Sequence, residues 1–154
     1  MRTQKVPQRH WKWLAFIVMF IIQSCSTIRL VSDYDEISDK AVTSMQDKVS
    51  KFFVKQEREL NTDAGKYAAN IVFYDEVKAD LNNLIIRANA TQNQLFLQQV
   101  KLLVENIEIT EKLHQMGFKK IGQLAPLKEN FNRAFIDIVT LQMALKRGEK
   151  KINF

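Results

Sequence analysis

Few residues in this chain combine a reactive side chain with a suggestive position. Cys25 is the only cysteine, and it directly follows the ten-residue apolar run Trp13–Ile22 and the dipeptide Gln23-Ser24. A thiol placed there is open to alkylation or acylation; with no second cysteine, it has no partner within the chain for a disulfide. His114 is the only histidine after that point. It has no His-x-x-x-His, Glu-x-x-His or cysteine-pair context, so a transition-metal site lacks ligands. At the end of a predicted helix, His114 reads as a surface residue that favours the helix dipole. The acids Asp33, Asp35 and Glu36 cluster without the glycine or spaced ligands of a cation loop and read as helix-start chemistry. Asp75, Glu76 and Asp137 fall away from the apolar stripes of their helices and read as solvated charge. Serines lack a Gly-x-Ser-x-Gly elbow, and no glycine-rich phosphate loop is present. This inventory supports no enzymatic reaction, no metal and no cofactor.

The segment that positions Cys25 is more informative. Arg2, Lys5, Arg9 and Lys12 precede the apolar run, with no acid among them. This is the charged region and apolar region of a secretory signal. The run is about half the ~20 residues needed to span a bilayer core. A cleaved signal is therefore favoured over an uncleaved membrane anchor, which stands as the alternative.

The tetrapeptide Ile22-Gln23-Ser24-Cys25 resembles a lipobox, the processing site of bacterial lipoproteins. Ile22 fills the aliphatic position and Ser24 the small-residue position; Gln23 departs from the usual small or apolar residue between them. The resemblance implies diacylglyceryl transfer to the Cys25 sulfur, cleavage before Cys25 and acylation of the new amino group. One acyl chain anchors a protein only marginally, whereas two or three hold it in the membrane. The implied location is the bacterial cell envelope, with the domain facing the periplasm or cell exterior.

The intact chain has a net charge of +6, but four of its 23 basic residues precede Cys25; the 19 basic and 17 acidic residues that follow leave +2. The basic character belongs mainly to the leader and gives no argument for nucleic acid. The expected organisation is a signal over residues 1–24, a lipidated cysteine and short tether over 25–31, and a helical domain over 32–154.

Apolar periodicity in that domain predicts four helices. The first is capped by Ser32 and carries the stripe Tyr34, Ile37, Ala41, Met45, Val49, Phe52 and Leu60, with a gap at Gln56. After a break at Asn61–Gly65, the second runs to about Ala88, with Tyr67, Ile71, Tyr74, Val77, Leu81, Leu84 and Ile85 on its stripe. The third spans Gln92–Gln115 and holds two apolar sets. Phe96, Val100, Leu103 and Ile107 form one; Leu95, Leu102, Ile109 and Leu113 form the other, beside a polar strip of Gln99, Asn106 and Thr110. So wide an arc implies burial against several neighbours, or burial on one side and a partner on the other; in a bundle the first is favoured. The fourth begins near Leu124, with Pro126 in its first turn, carries Leu127, Phe131, Ala134, Phe135, Ile138, Leu141 and Leu145, and is expected to end at Gly148.

Together these elements predict an all-α, antiparallel four-helix bundle after an N-terminal signal helix; a three-helix bundle with a packed fourth helix is the alternative. An even number of helices returns the chain to the tethered end. That would bring Lys146, Arg147, Lys150 and Lys151 towards the membrane surface, where basic residues attract anionic headgroups. The same charges also suit the helix dipole. Ile136 and Met143, seven apart and opposite the stripe of the last helix, are the expected apolar patch for a protein partner or self-association. As a whole the chain resembles the small helical lipoproteins of bacteria. This implies a non-enzymatic binding or structural protein, with an immunity or phage-exclusion lipoprotein as the alternative.

Overall fold

The computed structural model describes residues 33–152, with side chains through residue 148. Cys25, its lipobox and the expected signal helix lie outside the described residues. Four helices follow one another: α1 (Glu36–Glu59), α2 (Ile71–Ala90), α3 (Gln94–Gln115) and α4 (Leu124–Ile152). Each packs mainly against two others, in the cyclic order α1, α2, α3, α4 and back to α1. There is no strand among the described residues. This is an all-α, four-helix arrangement.

Side-chain pairs between neighbouring helices show the antiparallel order. Asp35, just before α1, meets Arg87 near the end of α2. Lys48 meets Asp80. Glu57, late in α1, meets Lys128, early in α4. Lys78 and Tyr67 both reach Glu111, late in α3. Lys146 lies over the Tyr34 ring, 5.1 Å from its centroid. The chain therefore enters α1 and approaches its end in α4 at the same end of the bundle, called the base below.

The buried face of α1 differs from the expected stripe. Asp35, not Ser32, caps the helix: its Oδ1 accepts the Ile37 amide at 3.2 Å. Its Oδ2 accepts the Ser38 hydroxyl at 2.6 Å, and both oxygens hold Arg87 at 2.7–2.8 Å. The Arg87 hydrogen bonds, opposed by partial burial and helped by Ser38, lower the Asp35 carboxyl to about 2. With its hydroxyl satisfied, Ser38 can be buried, and Ile37, one position round the wheel, is left 60% exposed. The gap at Gln56 is no gap either. Gln56 occupies the stripe and is fully buried, and its amide nitrogen and oxygen both lack a protein partner.

The link to α2 is longer than expected. Two 3-10 turns, Asp63–Gly65 and Tyr67–Ala69, precede the helix. Buried Asn70 ties them together: its amide donates to the Ala64 and Lys66 carbonyls and accepts from Lys55. Ile71, placed on the stripe by spacing, is 41% exposed. Asn93 caps α3 by accepting the Phe96 amide at 3.0 Å. At its far end Gly117 takes φ +85°, the left-handed conformation that closes a helix.

α4 does not stop at Gly148 but continues to Ile152. A glycine inside an exposed helix weakens it by only about 0.5–1 kcal/mol. Glu149, Lys150 and Lys151 are good helix formers, and Gly148 does not adopt the positive φ of a cap.

The core follows the expected stripes in α2 (Tyr74, Leu81 and Leu84), α3 (Phe96, Val100, Leu103 and Ile107) and α4 (Phe131, Phe135 and Ile138); in α1 it joins Met45 and Phe52 to Val42 and Phe53, which the expected stripe did not include.

Candidate functional site

The end of the bundle opposite the base holds the most organised polar cluster. His114, at the end of α3, is 2% exposed, not a surface residue as its position suggested. Its Nε2 lies 2.7 Å from the Gly65 carbonyl oxygen, and its Nδ1 lies 2.9 Å from the Tyr74 hydroxyl. A carbonyl can only accept, so Nε2 carries the proton and Nδ1 accepts from Tyr74. Phe118 stacks on the imidazole with centroids 4.6 Å apart, and Phe52 and Tyr67 meet it edge-on. Burial pushes the His114 pKa below its ordinary value; the Gly65 carbonyl opposes this and the Lys55 charge adds to it. Burial, reinforced by the Glu111 carboxylate, raises the Tyr74 phenol above its ordinary value. The cluster joins α2, α3 and the turn after α1 through neutral groups. It is a buried strut, not a cation placed at a helix end.

The sign of its pH dependence follows. The unfolded chain takes up a proton on this imidazole near pH 6.5, while the folded chain resists it to lower pH. The His114 contribution is thus fully present above about pH 6.5 and declines as pH falls towards the folded pKa. Denaturant midpoints measured between pH 7.5 and 5 should fall, and His114→Gln should remove most of that fall.

The remaining predicted positions spread over separate surfaces. Lys146 and Arg147 are exposed near the base; the Lys146 ammonium also lies 3.5 Å from the Tyr34 hydroxyl. The side chains of Lys150 and Lys151 lie outside those described. Ile136 and Met143 are 63% and 49% exposed on α4. Asp75, Glu76 and Asp137 are exposed and do not converge; Glu76 pairs with Lys48 at 3.3 Å. No group of three His, Cys, Asp or Glu suited to a metal occurs among the described residues.

Two clefts flank α1. One, of 310 Å³ against α4, has Phe53, Phe131 and Phe135 at its floor and Thr43, Ser50 and Asn132 at its rim. The other, of 380 Å³ against α2, sets Lys48, Lys51 and Lys55 around Phe52 and Phe73. Those lysines already hold Asp80, Asp47 and Asn70 respectively. Both volumes lie at the lower end of the range for small-molecule pockets.

The largest departure from expectation is on α3. Its second apolar set is not core: Leu95, Leu102, Ile109 and Leu113 are 53%, 48%, 53% and 36% exposed, and Met116 continues the row at 63%. Thr110 of the adjoining polar strip is instead fully buried, its hydroxyl donating to the Asn106 carbonyl at 2.7 Å. The seven-residue repeat of Leu95, Leu102 and Ile109 was visible in the sequence. Only the packing shows that α2 and α4 leave it uncovered.

Comparison with protein-family models, with curated proteins and with solved structures finds no match to this chain.

Proposed function

We propose that the chain is a lipid-anchored protein of the bacterial cell envelope, held at Cys25, whose helical domain is a non-enzymatic binding or structural module facing the periplasm or cell exterior. The observation that carries this reading is the lone cysteine placed directly after a basic leader and a short apolar run. The fold is compatible with it. α1 begins at the base eleven residues after Cys25, so an anchored domain stands close to the bilayer, with Lys146 and Arg147 at that same end. The polar groups of the bundle link helices to one another, and the row Leu95, Leu102, Ile109 and Met116 leaves an apolar helix face uncovered. Both suit a domain that binds through its surface.

Intact-mass measurement of protein extracted from membranes tests the anchor. A chain beginning at Cys25 with added acyl mass is expected, and Cys25→Ser should abolish both the cleavage and the acyl mass. An unmodified chain beginning at Met1 would overturn the proposal in favour of an uncleaved signal anchor.

A further inference from the structure

We propose that the outer face of α3 is a self-association surface on which two copies of this chain pair side by side, with their α3 helices parallel and in register. Leu95, Leu102, Ile109 and Met116 recur every seven residues, and all are about half exposed or more. At 1.5 Å per residue this row is about 32 Å long. A strict seven-residue repeat keeps one seam facing a partner helix along its length, so each row residue meets its own copy. With Leu113, the row presents on the order of 400 Å² of apolar surface, the scale of patches that mark interaction sites. Two copies and their polar rims reach roughly 1,200 Å², the lower bound for a specific interface. The dimer should be weak in free solution. It should strengthen where tethering confines both copies to one membrane, an effect that rests on the anchor proposed above.

Charge selects this partner and this orientation. On one side of the row, α3 presents Lys101 and Glu105. On the other side, beyond Asn106, α4 presents Asp137 and Arg133. Asn106 reaches the Asn130 carbonyl, which sets the antiparallel register of the two helices. Lys101 then lies within about 3 Å, along the axis, of the level of Asp137, and Glu105 within about 3 Å of that of Arg133. In a parallel pair related by a two-fold axis along the helices, opposite flanks meet at the same level: Lys101 faces the other copy's Asp137, and Glu105 its Arg133. Lys101, Glu105 and Asp137 make no ion pair among the described residues, and Arg133 holds only Glu129 on its own helix. An antiparallel pair would bring Glu105 of both copies together at the axis, which like-charge repulsion disfavours. The parallel pair also leaves both bases facing the same way, as two anchors in one membrane require.

Disulfide trapping tests the proposal on the full chain in mild detergent, with Cys25→Ser removing the native thiol. Leu95→Cys should form a linked dimer on copper–phenanthroline oxidation in several-fold higher yield than Ile86→Cys on the outer face of α2. An antiparallel pair separates the two residues 95 by about 32 Å, so equal yields from the two variants would overturn the proposal. Adding Lys101→Asp should lower the Leu95→Cys yield several-fold, and adding Asp137→Lys to that variant should restore it. Loss without restoration, with helical content unchanged by circular dichroism, would overturn the charge register. Because these variants lack Cys25, the outcome does not depend on lipidation, which the intact-mass experiment judges separately.

Discussion

Gly65→Ala is expected to destabilise the bundle by roughly 3–5 kcal/mol. A Cβ on Gly65 would lie 2.0 Å from the Glu59 carbonyl oxygen and 2.7 Å from its carbon, so backbone must move. The clash has no flexible side chain to absorb it. The Glu59 carbonyl is already fixed by the Thr62 amide at 2.9 Å and the Thr62 hydroxyl at 2.9 Å. Overpacking of this kind costs about 1–3 kcal/mol. Any shift of Gly65 also carries away the carbonyl that accepts from His114, stranding a buried N–H at about 1–3 kcal/mol more. Gly117→Ala provides the contrast. Nothing lies within 4 Å of its Cβ position, and only the φ of +85° resists, worth about 1–2 kcal/mol. Urea denaturation of the two variants should rank them in that order, and a Gly65→Ala change under 1 kcal/mol would contradict the packing at the α1–α2 turn.

Leu103→Ala and Phe131→Ala should each destabilise by roughly 2–5 kcal/mol, the range for cavities cut into a packed core. Leu103 is fully buried and Phe131 is 2% exposed, packed against Phe53 with centroids 5.7 Å apart. Leu102→Ala, one position along α3, should change stability by no more than about 0.5 kcal/mol, because a truncation on the exposed face leaves no cavity. The experiment thus measures which of the two α3 stripes is core. Equal losses at Leu102 and Leu103 would mean that both faces are buried in solution, as a tight dimer would produce, and the loss at Leu102 would then depend on protein concentration.

The four helices and the main core stripes were legible because apolar residues at threes and fours define a buried face whatever its neighbours. Phe96, Val100, Leu103 and Ile107, and Phe131, Phe135 and Ile138, are all buried as their spacing requires. What could not be read was set by tertiary partners. The wheel cannot tell a second apolar stripe that touches a neighbour from one that faces water, and α3 carries one of each. It counts Gln56 as a break, although the backbone rotates it squarely into the core. His114 looked like a helix-end cation because the groups that make its burial tolerable, the Gly65 carbonyl and the Tyr74 hydroxyl, lie 49 and 40 residues away in sequence. Asp35 caps α1 and its carboxylate also meets Arg87, a long-range pairing invisible to a local rule. Gly148 misled because a glycine ends a helix only when the chain uses its freedom to turn.

Asp35 also decides how the domain would behave under force. α1 begins at the base, where a pull along its axis would first act. Drawing α1 out lengthwise would slide it past α2 and α4 together, and the contacts of its buried face along the whole 24-residue helix would share the load. Unravelling α1 from its first turn is the easier route, since it breaks contacts one at a time. The clasp blocks that route at its first step: tension arriving at Asp35 passes through the two hydrogen bonds to Arg87 into α2 before the first turn can open. A pull on this end is therefore shared between α1 and α2 from the outset, and the first turn of α1 does not bear it alone.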